Sequence, residues 1–225
     1  ASDVYKRQMK GSGLSSSAAF EVLVGTILSH LYNGGQVSAV KIAQISQFAE
    51  NVYFGKPSGL MDQMASSVGG FIAIDFKDTS SPIIESVPAD FEKFGHALCI
   101  VDAKGDHADL TAEYAAIPQE MKAVAGYFTC DTLRQLSKDD IMLNIRVLRE
   151  QFGDRAVLRS IHFFDENERV DKLVHALKAG NFDDFLSSVK ESGDSSYKYL
   201  QNIYAASDIK HQCLSIALNL SLIHI

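Results

Sequence analysis

Nine consecutive residues near the start, Gly11-Ser12-Gly13-Leu14-Ser15-Ser16-Ser17-Ala18-Ala19, constrain this chain more than any other stretch, because a glycine-rich turn runs straight into a helix. Glycines let the backbone approach an anion closely, and the free N–H groups and dipole at a helix N-terminus favour negative charge there. The three serines add hydroxyls suited to phosphate oxygens or a hydrated Mg²⁺. The segment is not a Walker A loop, since no Gly-Lys-Ser/Thr follows, and it is not GxGxxG. Read by itself it is also compatible with an ordinary serine-rich N-cap.

The rest of the chain alternates in period. Residues 15 to 32 are apolar nearly all round and stop at Gly34 and Gly35, which predicts a buried helix with a glycine terminator. Ser38 is placed to cap a second helix in which Ile42, Ile45, Ala49 and Val52 recur at helical spacing, ending near Gly55 and Pro57. A third, short helix is expected from about Ser58, with Met61, Met64 and Val68 on one side and Gly69 and Gly70 as its break. The runs 71–76, 83–87 and 96–103 are short, β-rich and bounded by turn residues, so they read as strands. Beyond them helices are expected over 111–127, 138–152, 166–179 with Gly180 as the stop, and 181–191. No period of repeat length recurs. A stretch rich in Pro, Asp and Ser over 77–93 supplies the best boundary, giving lobes 1–93 and 94–225.

Charge narrows the partners. Twenty-one Lys and Arg against 28 Asp and Glu leave a net −7, which argues against a general nucleic-acid surface. At 46% hydrophobic and 22% charged the chain can bury a core rather than remain disordered. Cys99, Cys130 and Cys213 are odd in number, far apart and outside any CxxC pattern, so a disulfide framework or zinc knuckle is not expected. No apolar run reaches membrane-span length and no secretory leader is visible, so a cytoplasmic protein is expected, with no membrane and no obligate protein partner. The opening ASDVYKRQ and closing LSLIHI read as translated adaptor sequence and are set aside, although LSLIHI is also compatible with a strand or helix.

Glu50 and the run Gly55-Lys56-Pro57-Ser58-Gly59-Leu60-Met61-Asp62-Gln63 form the second chemical signal. Glu50 near the end of one helix and Asp62 in the first turn of the next can face a shared cleft, and a first-turn carboxylate is favoured by the helix dipole. Such a group can accept a proton or orient a hydroxyl. Taken alone, the pair reads better as a first-turn Asp beside a solvated Glu; two carboxylates beside a phosphate loop reverse that preference.

GSGLSSSAA followed by AENVYFGKPSGLMDQ resembles the galactokinase family of the GHMP small-molecule kinase superfamily. The spaced AEN…G…GLMDQ separates it from mevalonate and homoserine kinases, which usually carry GLGSSAA and lack MDQ. The similarity runs from about Lys10 to about Asn219 and includes HADLTAEY and HxxxENxRV. It implies an α+β, two-lobe GHMP kinase fold with mixed sheets and packed helices, and transfer of phosphate from ATP to galactose, giving galactose 1-phosphate. Under that resemblance Gly11, Ser12, Gly13, Leu14, Ser15, Ser16 and Ser17 hold the ATP phosphates. Ser17 and Glu50 become Mg²⁺ ligands, with Ser16 as the alternative serine; Asp62 becomes the catalytic aspartate; Gly59, Asp62 and Tyr114 contact the sugar.

Two other segments compete for attention. Asp102-Ala103-Lys104-Gly105-Asp106-His107-Ala108-Asp109 has possible metal spacing, but the resemblance makes it the turn leading to Tyr114. His162 with Glu166 and Arg169 reads as a polar contact at a helix start, and Phe163, Phe164, Leu173 and Leu177 read as core. Ser58 stands where many galactokinases have cysteine, and Pro118 stands about where an arginine often follows the Glu-Tyr pair. The family's upstream arginine, its Glu-His-Thr-Asp stretch and its C-terminal glycine loop have no counterpart in the sequence. The expectation is therefore a middle portion truncated at both ends, weakly active or inactive alone. N-acetylgalactosamine or arabinose kinase, and a catalytically silent galactokinase-like sensor, are the alternative functions.

Overall fold

The computed structural model describes residues 14–55, 58–101, 103, 111–206 and 208–224. The chain divides into two compact units, Ala1–Pro88 and Ala89–Ile225. It is α+β, and among the described residues its strands form one two-stranded antiparallel sheet in place of the mixed sheets expected.

In the first unit, α1 (Ser16–Asn33) ends at Gly34, whose left-handed φ of 59° suits a residue without Cβ. The terminator was legible, but the helix is not buried all round. Ala18 and Val22 are in the core, while Phe20, Val24, Ile27, Leu28 and Leu31 form an exposed apolar face. Helix α2 (Ala39–Phe48) is capped by Ser38 as expected, its Oγ accepting from the Lys41 N–H at 3.3 Å. It widens into a π-helical turn, Ala49–Tyr53. Its buried stripe is Ile42, Ala43, Ser46 and Glu50, not Ile42, Ile45, Ala49 and Val52; Ile45 and Val52 face solvent. The Ser46 hydroxyl donates to the Ile42 carbonyl within the helix, so a polar residue rides in the apolar stripe without an unpaired group.

Helix α3 (Met61–Val68) also buries a different face from the one expected. Leu60, Gln63 and Met64 are buried, whereas Met61 is 61% exposed and Val68 lies at the surface. Strands β1 (Ile72–Asp75) and β2 (Ile83–Ser86) pair with Ile74 opposite Ile84. Both isoleucines pack with Val40 and Phe76 on the core of Ala43, Leu60 and Met64. The Gln44 side chain donates to the carbonyls of Thr79 and Ser80, tying the β1–β2 connection to α2.

The second unit is helical. It contains α4 (Thr111–Tyr127), α5 (Lys138–Leu143), α6 (Ile145–Phe152), α7 (Asp154–Ala179), α8 (Phe182–Ser195) and α9 (Cys213–His224). The helix expected over 138–152 is divided at Asn144, whose Nδ2 donates to the Asp140 carbonyl. The helix expected from 166 begins at Asp154, after Gly153, and Gly180 terminates it as expected. Inward Arg159, Ser160 and His162 interrupt its apolar stripe, so the sequence pattern hides the first three turns. The core joins Val124, Ala125, Leu133, Ile141, Leu148, Ala156 and Val157, with Phe163 and Phe164 against it. A second aromatic cluster stacks Phe94 on Phe182, with Phe91 and Phe185 beside them.

Of the strand expected over 96–103, none is formed among the described residues 96–101 and 103, and Leu98 and Val101 are exposed. A β-rich run becomes a strand only with a partner for its ladder, and no described strand pairs with it. Cys99, Cys130 and Cys213 are free thiols. Among the described residues no helix is long and apolar enough to cross a membrane.

Candidate functional site

Gly11, Ser12 and Gly13 lie outside the described residues, as do Lys56 and Pro57. From Leu14 onward the loop is described, and Leu14, Ser16 and Ser17 are exposed. Ser15 caps α1 with left-handed backbone, φ 54° and ψ 40°, an uncommon state for a residue with a Cβ. Its carbonyl accepts the Ala19 N–H at 3.1 Å, and its side chain caps nothing. The first-turn N–H groups of α1 thus receive no serine cap, and no acidic side chain stands in that turn. Such a terminus attracts an anion from outside the helix.

Behind it sits a buried polar cluster. Glu50, 4% exposed, is carried inward by the π-helical turn at the end of α2. The Ser17 hydroxyl donates to Glu50 Oε1 at 3.1 Å, and Gln63 Nε2 donates to Glu50 Oε2 at 2.7 Å. Gln63 Nε2 also lies 3.5 Å from Glu21 Oε2. Ser17 and Glu21 are four residues apart on α1, so both face the same side of that helix. A carboxylate this far from water requires donors, and these side chains provide them.

The connection between Glu50 and α3 is clamped. Asn51 Oδ1 accepts the Ser58 N–H at 2.7 Å and the Ser58 hydroxyl at 3.0 Å. Asn51 Nδ2 and Gln47 Nε2 both donate to the Ser58 carbonyl. Ser58 is thereby a fixed point of the loop. Gly59 follows it, exposed, and a Cβ there would meet nothing within 4 Å. Asp62 is exposed in the first turn of α3, one residue before Gln63.

Of the expected residues, Ser17 and Glu50 are brought into direct contact, and Asp62 and Gly59 flank the same clamped loop in the first unit. Tyr114 belongs to the second unit, in the first turn of α4, and is 58% exposed. Of Asp102 to Asp109, only Ala103 is described. Sequence reasoning gives no role to Gln63, Glu21, Gln47 or Asn51. Gln63 and Asn51 stand inside the AEN…GLMDQ motif, and the i, i+4 spacing of Ser17 and Glu21 is visible in the sequence.

His162 lies in the middle of α7, not at a helix start as expected. Its Nδ1 is 2.8 Å from Ser195 Oγ on α8. Glu166 pairs with Arg169 and accepts from the Ser192 hydroxyl, and Arg169 Nε is 3.8 Å from Glu191. This is a polar seam between α7 and α8. Burial pushes the imidazole below its ordinary value of 6.5, opposed by Glu166 and Asp165 and aided by Arg169. Because the unfolded chain then takes up the proton first, His162 contributes stability above that value and loses it as pH falls below. We expect urea unfolding to show a stability loss between pH 7.5 and 5.5, with a slope of at most about 1.4 kcal/mol per pH unit from this group. His162→Gln should flatten that difference; identical pH profiles for the two proteins would exclude the assignment.

Known proteins resemble this chain in sequence and in fold. Residues 2–70 match the family described as GHMP kinases N terminal domain. The galactokinase of Streptomyces coelicolor is 33% identical over 176 residues, 76% of this chain and 43% of that protein. The galactokinase of Thermotoga maritima is 32% identical over 197 residues, 88% of this chain and 52% of that protein. The crystal structure of Lactococcus lactis galactokinase complexed with galactose superposes with a TM-score of 0.66 at 28% identity, covering 85% of this chain and 49% of the other. The chain spans about half the length of the curated relatives it matches.

Proposed function

The chain belongs to the GHMP kinases as a homologue of their galactokinases, and from that premise we propose that it carries the phosphate-binding and catalytic segment of an ATP-dependent galactokinase. The reaction joins the anomeric hydroxyl oxygen of galactose to the γ-phosphorus of ATP, breaks the bond to the bridging oxygen of ADP, and passes the hydroxyl proton to a base. Asp62 is that base or orients the hydroxyl, Gly59 and Tyr114 contact the sugar, and Gly11 to Ser17 hold the phosphates. We place the boundary between the lobes at 93/94, five residues past the division of the chain into compact units after Pro88, and the protein acts in the cytoplasm.

The observation that carries the reading is the Ser17–Glu50 contact beneath an N-terminus open to anions. The donor set suits Mg²⁺: the buried Glu50 carboxylate and the Ser17 hydroxyl that meets it. Both are hard oxygen donors, and Mg²⁺ is commonly held by one or two carboxylates together with substrate phosphates. Mg²⁺ at Ser17 and Glu50 would supply charge neutralisation on the phosphates. The protein's own share is positioning: backbone N–H groups at the start of α1, a hydroxyl aimed by Glu50, and a loop immobilised by Asn51.

The test is an assay of the complete gene product with ATP and galactose, N-acetylgalactosamine or arabinose, following sugar 1-phosphate and ADP. Galactose should be the preferred acceptor. Ser17→Ala combined with Glu50→Gln should raise the Mg²⁺ concentration needed for half-maximal rate by about tenfold or more while leaving sugar binding nearly unchanged. Unaltered metal dependence would remove both residues from the metal role, and absence of any sugar 1-phosphate would remove the kinase reading.

A further inference from the structure

Gln63 is an unusual residue to find at the centre of an apolar cluster. It is 1% exposed, beside Leu60 and Met64 on the buried side of α3, where an unbonded amide would be costly. Its side chain instead spans the interval between two carboxylates, 2.7 Å from Glu50 Oε2 and 3.5 Å from Glu21 Oε2. Turning the amide over would set its oxygen against both carboxylates, so the Nε2-inward orientation is the favourable one. With Oε2 of Glu50 engaged by Gln63, Oε1 is the oxygen that meets Ser17.

We infer that Gln63 is a positioning residue: it fixes the rotation of the Glu50 carboxylate so that one oxygen serves Ser17 and the cation, and it screens Glu50 from Glu21 with a neutral donor. This rests on the reading of Ser17 and Glu50 as the metal side of the site. The role requires both a donor and neutrality at this length. A methionine would fill the space without donating, and a glutamate would add a third carboxylate.

The experiment compares Gln63→Met, Glu50→Gln and the double variant in the complete gene product, with Mn²⁺ as the probe. Mn²⁺ binding in the presence of a non-hydrolysable ATP analogue is followed by electron paramagnetic resonance, with melting temperature measured alongside. Gln63→Met should weaken Mn²⁺ binding by about tenfold, in the range found for groups that orient metal ligands. Glu50→Gln should weaken it further, and the double variant should be no weaker than Glu50→Gln alone, because Gln63 acts through Glu50. Losses that multiply in the double variant, or a Gln63→Met protein that binds Mn²⁺ like the parent while Glu50→Gln does not, would overturn the proposal and leave the metal reading standing. Normal Mn²⁺ affinity in Glu50→Gln would instead sink the metal reading, and this inference with it. Should Gln63→Met fail to fold, Gln63→Asn, which keeps an amide but withdraws it by one methylene, makes the same comparison with the same expected loss.

Discussion

Asp62→Asn should lower kcat by about 10²- to 10⁴-fold, the range of general acid–base contributions, with ATP binding close to that of the parent. The location of the residue makes this test clean. Asp62 is exposed at the start of α3, while the residues that anchor the helix, Leu60, Gln63 and Met64, point into the first unit. An asparagine there keeps shape and helix terminus and removes only the carboxylate. Single-turnover rates with galactose, together with nucleotide affinity and melting temperature, separate chemistry from folding. A variant turning over within a few-fold of the parent would take Asp62 out of the catalytic role.

The largest stability effect is expected in the second unit, at Glu120. Arg159 on α7 is 1% exposed, and its guanidinium donates to Glu120 Oε2 at 2.9 Å and to the Leu200 carbonyl at 3.0 Å. Glu120 also accepts from Arg155, which lies 3.8 Å from Glu113. Glu120→Ala removes the only carboxylate recorded against a buried guanidinium among the described residues, and breaking such a pair costs about 3–5 kcal/mol. Combining it with Arg159→Met should recover most of that loss, because an apolar side chain of similar length needs no counter-charge. Urea unfolding decides the matter. A loss below about 1 kcal/mol would place the pair with exposed ion pairs, which contribute little.

What the sequence made legible and what it hid divide along a physical line. Helix ends were readable at Gly34, Ser38 and Gly180, because caps and left-handed glycines act through local geometry. Ser17 and Glu50 could be paired because a family resemblance linked two distant motifs. The faces of α2 and α3 were misjudged, since apolar periodicity assumes that buried means hydrophobic, and here Ser46, Glu50 and Gln63 occupy inward positions. Those three are polar residues buried with bonded partners, which hydropathy scores as surface. The same blindness concealed the start of α7, where Arg159 and His162 face inward. The missing strand over 96–103 is a different failure: strand formation depends on a partner elsewhere in the chain, which composition does not report.

The polar cluster is also a statement about folding order. Its bonds join residues 33, 13 and 42 positions apart, so the full set closes only when three separate stretches have docked. We expect the apolar contacts of Ala43, Leu60 and Met64 to form before the carboxylate finds its donors. Such a cluster is expected to open before the helices melt, and hydrogen exchange at the Ser58 amide should report it. Competence is then a property of the docked first unit and not of any one side chain. Substitutions at Ala43 or Met64, which are core residues, would deplete the docked population by shifting that equilibrium, and in a cell they would register as lower abundance of competent molecules.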